Sequence, residues 1–465
     1  VRIEEPGEYL VTLGDAAGGD YRLRLACSGG ACARPWLDDA EEPCALSPLG
    51  QSVLDAALAA EPSRNSVPPS LMVTYENRTA GALVTGPVVF PAMADAIAGA
   101  EHEVDLAMFV FNHSDAYEEI TDAIARLEAR RRAAAAETPV IVRILVDAQK
   151  ILFNTGSKIA KRAFEGVGEL ALDPNYVQVQ IATYEHFTLG NLHSKLLVVD
   201  GKTVMLGGAN IQKQHDYAAP WMDSFYVLEG RSAQSFLADF DHAWNKSKQW
   251  HCVRNAEGEP DCQGWSDAPP AWHEAVVLEP EVMVDSCVPA IALNRTAWGG
   301  FNNNIDNPQD QGILAALDGA QQRIRMQTPN LNDDAVKDAI LRAVARGVEV
   351  EIVLSLGFND TAMHLFGGTN EENADELMAR AQNAENLQIR WYSADGVAPI
   401  DGNVTGASHL KYLSIDGQLA VVGSTNMDTL AWNHSRETNV AVDRASITSA
   451  WDARVFEPNW THAVP

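Results

Sequence analysis

Two short segments of this 465-residue chain carry the same set of chemically active side chains in the same order. Each has a histidine, a lysine two residues later, an aspartate five residues after the lysine, and then two small residues and an asparagine. The first set is His193, Lys195 and Asp200 with Gly207, Gly208 and Asn210; the second is His409, Lys411 and Asp416 with Gly423, Ser424 and Asn426. The histidines are 216 residues apart (409 − 193), so each half of the chain contains the pattern once.

These residue types are suited to cleaving a phosphodiester. A histidine and a lysine two positions apart on a strand point to the same face. The imidazole can attack phosphorus or donate a proton near neutral pH, and the ammonium group can bind a phosphate oxygen. Glycine lets the backbone approach the same oxygens, and asparagine adds an amide donor. A single set could be the polar edge of a strand that arose by chance. Two equivalent sets supply a nucleophile and an acid, as metal-free cleavage through a phosphohistidine requires.

The paired pattern resembles the HKD motifs of the phospholipase D superfamily, and the resemblance covers about residues 70–465. The segment from Trp221 to Gly230, which contains Asp223, is similar to the family's W-x-D strand after the first motif. The segment Arg436-Glu437-Thr438-Asn439 is similar to its counterpart after the second motif. The family's acidic residues at these two places orient the active-site imidazoles, and by this match Asp223 and Glu437 would do so here.

The resemblance implies a role for each remaining residue of the pattern. We expect His193 to be the nucleophile and His409 to protonate the leaving alcohol. The residues expected to bind the phosphoryl oxygens are Lys195, Lys411, Asn210 and Asn426. Those expected to be structural are Asp200, Asp416, Gly207, Gly208, Gly423 and Ser424. We expect no metal and no cofactor, because two lysines and two amides would supply the positive potential. Gly208 departs from the family, which commonly has serine there, as at Ser424.

Strand and helix patterns alternate around both motifs. The strand-like EVDLAMFVFN and VIVRILVDA flank an amphipathic helix pattern, and QRIRMQTPN, DAVKDAILRAVARG and VEVEIVLSL repeat that order. We therefore predict an α/β protein of two pseudo-symmetric phospholipase D-like halves, residues 70–265 and 280–465, with the active site between them. Gly, Pro and Asp cluster near residues 252–280, where we expect the junction. Residues 1–50 contain GEYLVTL and DYRLRLAC, which predict a small N-terminal β module or arm.

Charge and composition limit the function. The 34 Lys and Arg against 63 Asp and Glu give a net charge of −29, which disfavours a nucleic-acid substrate. We predict a phospholipase D that hydrolyses phospholipids at a membrane or micelle surface to phosphatidate and free head group, and transfers the phosphatidyl group to alcohols. Because one chain supplies both motifs, we expect a monomer. The alternatives are a cardiolipin-synthase-like phosphatidyltransferase, an HKD-type phosphodiesterase or nuclease, and a non-catalytic binding module.

Six cysteines bear on where the protein is located. They could be buried thiols, but their even number and loop-like spacing favour disulfides in a secreted or periplasmic protein. The favoured pairing is Cys27–Cys32, Cys252–Cys262 and Cys44–Cys287, among 15 possible connectivities. The chain begins with Val1, so we expect a mature or trimmed product. The most apolar stretch, Gly81 to Ala100, is interrupted by two prolines and an aspartate, and it does not predict a membrane span.

Overall fold

A computed structural model of the chain describes residues 36–37, 44–149, 154–186, 189–265, 287–298 and 305–465. The strands within these ranges are β1 (Trp36–Leu37), β2 (Val73–Thr74), β3 (Asn77–Ala80), β4 (Leu83–Val84), β5 (Glu103–Met108), β6 (Val140–Asp147), β7 (Val177–Tyr184), β8 (Lys195–Val199), β9 (Thr203–Gly207), β10 (Ser224–Gly230), β11 (Lys248–Arg254), β12 (Pro260–Gly264), β13 (Ala290–Ala292), β14 (Arg323–Thr328), β15 (Glu349–Leu354), β16 (Leu387–Trp391), β17 (Tyr412–Ile415), β18 (Leu419–Gly423) and β19 (Asn439–Asp443). The α-helices are α1 (Pro48–Ala59), α2 (Gly86–Ala98), α3 (Asp115–Ala133), α4 (Gly156–Glu169), α5 (Ser232–Trp244), α6 (Pro308–Gly319), α7 (Asp334–Ala345), α8 (Asp360–Met363), α9 (Asn370–Arg380), α10 (Thr429–Asn433), α11 (Ala445–Trp451) and α12 (Glu457–His462).

The strands form two sheets with the same central order. The first runs β1-β3-β10-β9-β8-β5-β6-β7-β11-β12, with β4 also paired to β10, and the second runs β16-β15-β14-β17-β18-β19-β13-β2. In each sheet a parallel trio joins an antiparallel trio, β7-β6-β5 to β8-β9-β10 and β16-β15-β14 to β17-β18-β19. This repeat confirms the prediction of two pseudo-symmetric α/β halves.

The strand that follows each motif histidine, β8 or β17, is buried on both faces. In β8, Leu196 and Val198 belong to a core shared with the second sheet, whereas Leu197 and Val199 pack on the opposite side among α2, α3 and α4. This alternation is the two-residue period of a strand. Because the first of these cores includes residues of both sheets, it joins the two halves, whereas the second core lies within the first half.

Local signals account for the helices between the parallel strands. The Ser114 side chain accepts a hydrogen bond from Tyr117 N (3.2 Å) and caps α3, whose first turn is acidic and whose last turn has three arginines. Asp333 caps the equivalent helix α7 by accepting from Ala335 N (3.0 Å). In the described residues, no helix combines the length and apolar character needed to span a bilayer.

The predicted β module of residues 1–50 is corrected at its end, where a helix begins. Residues 1–35 and 38–43 of the predicted β module lie outside the described residues, and Trp36–Leu37 pairs with β3 in the first sheet. Pro48–Gly50, however, begin helix α1. Pro48 is at the first helical position, where proline is favoured, and Ser47 accepts from Gly50 N (3.1 Å) as the cap. Helix α1 packs on α6, and Ser47 Oγ donates to Asp443 (2.8 Å), so this segment is held by the second half.

The region predicted as the junction between the halves, near residues 252–280, belongs in part to the first sheet. Cys252–Gly264 belongs to a hairpin, β11–β12, at the edge of the first sheet. Cys252 and Cys262 lie opposite each other in that hairpin and form a disulfide. A second disulfide joins Cys44 to Cys287. Both predicted pairs are confirmed, and Cys27 and Cys32 lie outside the described residues.

Removing the two described disulfides should destabilise the fold unequally. In the chain-entropy description a bridge stabilises more when it closes a longer loop. The cysteines are 10 residues apart in one case and 243 in the other. We expect Cys252→Ser/Cys262→Ser to cost roughly 3 kcal/mol and Cys44→Ser/Cys287→Ser up to roughly 5 kcal/mol in urea unfolding. Thiol titration of the denatured, unreduced chain should find these four cysteines unreactive. Four reactive thiols there would contradict the disulfides and the predicted export.

Candidate active site

The two motif histidines lie where loops of the two halves cross. His193 directly precedes Ser194 and β8, and its backbone N donates to the carbonyl oxygen of Arg436 (2.9 Å). His409 lies three residues before the start of β17, and its backbone N donates to the carbonyl oxygen of Met222 (2.8 Å). Each histidine backbone is thus bonded to the residue just before the acidic residue of the other half.

The side chains repeat this exchange between halves. His193 Nδ1 lies 3.0 Å from Glu437 Oε2, and His409 Nδ1 lies 2.8 Å from Asp223 Oδ2. Both carboxylates are fully buried. A carboxylate that accepts from Nδ1 places the proton on that nitrogen and leaves Nε2 available for chemistry. The structure therefore brings the four predicted histidine and acidic residues together as two pairs, each with one member from each half.

The pKa values of the two carboxyl groups are shifted in opposite directions. Burial alone would raise the pKa of Asp223, but the Lys411 charge and hydrogen bonds from His215 and His409 outweigh it and hold that pKa below its ordinary value. At Glu437 burial dominates and raises the pKa to about 8, against the opposing effects of Lys195 and Ser424. Asp223 is thus the more strongly ionised carboxylate, and it favours the imidazolium form of its partner His409.

Both motif lysines are buried beside the histidines. Lys195 Nζ donates to the carbonyl oxygen of His193 (2.5 Å), and Lys411 Nζ lies 2.8 Å from His409 Nδ1. Burial lowers the pKa of Lys195 to about 7 and that of Lys411 to about 8. Burial and the neighbouring lysine charges also hold the pKa of both histidines well below the ordinary value. An anionic phosphate would reverse these effects, because it favours every protonated group around it.

The two motif asparagines are buried, and each has one polar contact that orients it. Asn210 Oδ1 accepts from Val110 N (3.3 Å), which leaves its amide nitrogen to donate elsewhere. Asn426 Nδ2 donates to Asp428 (2.8 Å), so one of its two N–H groups is already used. Its Oδ1 is buried without a hydrogen-bond partner.

The motif aspartates lie at the far end of the strands from the histidines. Asp200 follows β8 and accepts from the backbone N of Glu101, His102 and Glu103, at 2.7 to 3.2 Å. Asp416 follows β17 and accepts from three equivalent amides, those of Gln321, Gln322 and Arg323, at 2.8 to 2.9 Å. In both halves the aspartate anchors the start of the neighbouring parallel strand, β5 or β14.

The small motif residues make room for close backbone contact. Gly423 has φ +150°, and a Cβ there would lie 2.4 Å from the Thr438 carbonyl oxygen. A Cβ at Gly207 would lie 2.0 Å from the Ser224 carbonyl oxygen. At the next position the halves differ, because Ser424 Oγ donates to Glu437 Oε2 (2.5 Å) whereas Gly208 has no side chain.

Comparison with known proteins identifies the family of the chain. The sequence model of the family described as "Cardiolipin synthase, PLD-like domain" matches residues 93–244 and 313–460, and so includes each motif once. The chain belongs to the phospholipase D superfamily.

Several relatives in this superfamily are similar over most of the chain. A phospholipase D from Streptomyces antibioticus is 24% identical over 79% of this chain and 75% of its own length. A probable cardiolipin synthase from Bacillus subtilis is 23% identical over 57% of this chain and 45% of its own length. The crystal structure of a phosphatidylserine synthase from Haemophilus influenzae superposes with a TM-score of 0.54 at 15% identity, covering 82% of this chain and 86% of the other. This last likeness shows the shared fold.

Three side chains of this superfamily site were missed by the sequence analysis. Phe109 packs edge-on against His193, with ring centroids 5.3 Å apart. Phe358 lies 5.5 Å from His409, and His215 lies 5.4 Å from the same ring. Trp221 of the W-x-D segment is a third neighbour of His409, with ring centroids 5.5 Å apart. None of the three missed residues belongs to the repeated motif, so only their position in the fold identifies them.

One group in the described residues could in principle hold a metal ion. The donor atoms of His215, Asp223 and His409 lie within 4.8 Å of one another, and all three residues are buried. In the structure Asp223 Oδ2 accepts from both rings, at 3.2 Å from His215 Nε2 and 2.8 Å from His409 Nδ1. A cation would have to break both bonds next to the Lys411 ammonium group. The geometry therefore fits a hydrogen-bonded chain better than a metal site.

Proposed function

We propose that this chain is an exported, monomeric phospholipase D that hydrolyses phospholipids through a covalent phosphohistidine. The observation that carries the proposal is the pair of imidazoles held at Nδ1 by buried carboxylates, one from each half. This arrangement presents two Nε2 atoms beside two lysines, which suits a two-step displacement at phosphorus.

In the first step His193 Nε2 attacks phosphorus, and the bond from phosphorus to the head-group oxygen breaks. His409 donates its proton to that oxygen, so the head group leaves as the free alcohol rather than as an alkoxide. The phosphatidyl group remains on His193, and Lys195 and Lys411 stabilise the charge on the phosphoryl oxygens. The substrate phosphate raises the pKa of His409, which allows it to carry the proton although burial lowers that pKa in the free protein.

In the second step a water molecule occupies the place of the head group. His409, now neutral, removes a proton from the water as its oxygen attacks phosphorus, and the bond to His193 breaks. The products are phosphatidate and the original imidazole, with His409 protonated again. The side chain of His193 is 14% exposed and that of His409 is 7% exposed, which supports the more open histidine as the one that receives the phosphatidyl group.

Apolar surface near the site supports a lipid substrate. The Val404 carbonyl oxygen accepts from Trp221 Nε1 (2.6 Å) beside His409, and the Val404 side chain is half exposed. The net charge of −29 opposes a nucleic-acid polyanion as the alternative substrate.

A phosphatidyltransferase of the cardiolipin-synthase type is the second candidate, because the matched family model carries that description. It shares the first step and differs in the acceptor of the second. With phosphatidylglycerol as the only lipid, a hydrolase yields mainly phosphatidate, whereas this transferase yields cardiolipin and glycerol. Choline release from phosphatidylcholine vesicles would support the hydrolase, whereas nicking of plasmid DNA would indicate a nuclease instead of either candidate.

Alcohol transfer tests the covalent intermediate directly. Ethanol presents the same nucleophilic oxygen as water, so it should divert product from phosphatidate to phosphatidylethanol in proportion to its concentration. Two in-line displacements should give retention of configuration at phosphorus, and EDTA should leave both rates unchanged. Direct attack by a metal-activated water would instead give inversion, no ethanol adduct and loss of activity with the chelator. Phosphatidate as the sole product across a wide range of ethanol would contradict the mechanism.

A further inference from the structure

In each of the two buried carboxylates of the site, one oxygen accepts hydrogen bonds from both halves. Glu437 Oε2 accepts from His193 Nδ1 of the other half and from Ser424 Oγ of its own half. His193 Nδ1 also lies 2.9 Å from the second oxygen of Glu437, Oε1. Asp223 Oδ2 accepts from His409 Nδ1 of the other half and from His215 Nε2 of its own half. His215 therefore occupies the place in the first half that Ser424 occupies in the second.

The exchange of serine for histidine has a steric reason. The position equivalent to Ser424 is Gly208, and a Cβ there would lie 2.2 Å from Asp223 Oδ1. A serine at residue 208 therefore cannot coexist with Asp223 in its present place. The second donor must come from farther away, and an imidazole has the reach.

The surroundings of His215 hold the ring in the donating orientation. The ring is fully buried, and its Nδ1 faces the amide nitrogen of Gln212 at 3.5 Å, which leaves the proton on Nε2 toward Asp223. The ring also packs edge-on against Trp221 and His409, with centroids 5.4 Å away in both cases. The next residue, Asp216, accepts from the first backbone amides of α3 and anchors the turn.

We propose that His215 is a positioning residue that fixes the Asp223 carboxylate so that His409 can act as the acid, and that Ser424 does the same for Glu437 and His193. The proposal rests on the proposed function above. The hydrogen bond from His215 also contributes to the lowered pKa of Asp223, and an ionised Asp223 stabilises the protonated form of His409. Burial lowers the pKa of His215 itself, so His215 acts as a neutral N–H donor.

The test compares His215→Phe with two matched variants. Phenylalanine keeps the ring packing and removes the donor, His215→Gln keeps an N–H group within reach of Asp223, and Ser424→Ala removes the equivalent donor in the second half. Each is assayed on phosphatidylcholine in mixed micelles and on bis(4-nitrophenyl) phosphate, whose leaving group needs no proton. Thermal unfolding of each variant shows whether it is folded.

We expect His215→Phe to lower kcat on phosphatidylcholine about 10- to 100-fold with little change in KM, since a hydrogen bond to a buried charge is lost. On the nitrophenyl diester the rate of the nitrophenol burst, which reports the first step alone, should fall by less than about 3-fold. His215→Gln should recover most of the activity on the lipid. Ser424→Ala should lower kcat on both substrates to a similar extent, because it affects the nucleophile.

In a folded His215→Phe protein, an equal loss in kcat on phosphatidylcholine and in the rate of the nitrophenol burst, or no loss in either, would overturn the proposal. So would a His215→Gln protein no more active on the lipid than His215→Phe. Failure of the proposed function is distinguishable, because it would appear in the unmodified protein as an absence of turnover on phosphatidylcholine.

Discussion

Replacing His193 with alanine should abolish turnover on every phosphodiester. With the attacking nitrogen gone, neither step of the double displacement can occur, and losses of roughly four to six orders of magnitude in kcat are typical when a nucleophile is removed. The loss should be the same for phosphatidylcholine and for bis(4-nitrophenyl) phosphate, because both require attack on phosphorus. Acid-quenched protein should also lack the phosphatidyl-histidine adduct, measured by mass spectrometry of the peptide that contains residue 193.

The matched control is His251→Ala. His251 is exposed on β11 at the edge of the first sheet, so its removal should leave kcat and the adduct unchanged. A His193→Ala protein that still forms an adduct would contradict the assignment of the nucleophile. If that adduct mapped to the peptide containing residue 409, the two histidines would have exchanged roles.

Replacing His409 with alanine should have a large effect that depends on the leaving group. General acid catalysis raises the rate roughly 10²- to 10⁴-fold. The alkoxide of choline is a poor leaving group unless its oxygen is protonated as it departs. We therefore expect kcat on phosphatidylcholine to fall by roughly that factor. Formation of the adduct from bis(4-nitrophenyl) phosphate should be much less affected, because nitrophenolate leaves without a proton.

The second step gives this variant an additional signature. His409 is also the base that activates water, so the His409→Ala protein should release nitrophenol in a burst and then turn over slowly. The covalent adduct should accumulate, and single-turnover kinetics measure its formation and decay separately. Equal losses for adduct formation from the two substrates would contradict the role of His409 as the acid.

The local sequence was sufficient to predict the two halves and the motif residues. Apolar strands such as β6 and amphipathic helices such as α7 differ in periodicity, and periodicity depends on neighbours within a few residues. The HKD patterns repeat within short segments, so both were visible without any knowledge of the fold. The disulfide Cys252–Cys262 was predictable for the same reason, because its cysteines are 10 residues apart on one hairpin.

Contacts between distant segments were decided by the tertiary structure. The sequence analysis assigned Asp223 and Glu437 to the imidazoles, but their exchange between halves follows from the crossing of two loops, where His193 meets Arg436 and His409 meets Met222. The N-terminal helix α1 was missed although Ser47 and Pro48 are a local start signal; only its packing against α6 depends on the tertiary structure. His215 carries no local signal of function. Asp223 is one carbon shorter than Glu437, and its carboxylate lies against Gly208, so a serine side chain at residue 208 has no room. The imidazole of His215 reaches the same carboxylate from farther away and so becomes part of the site.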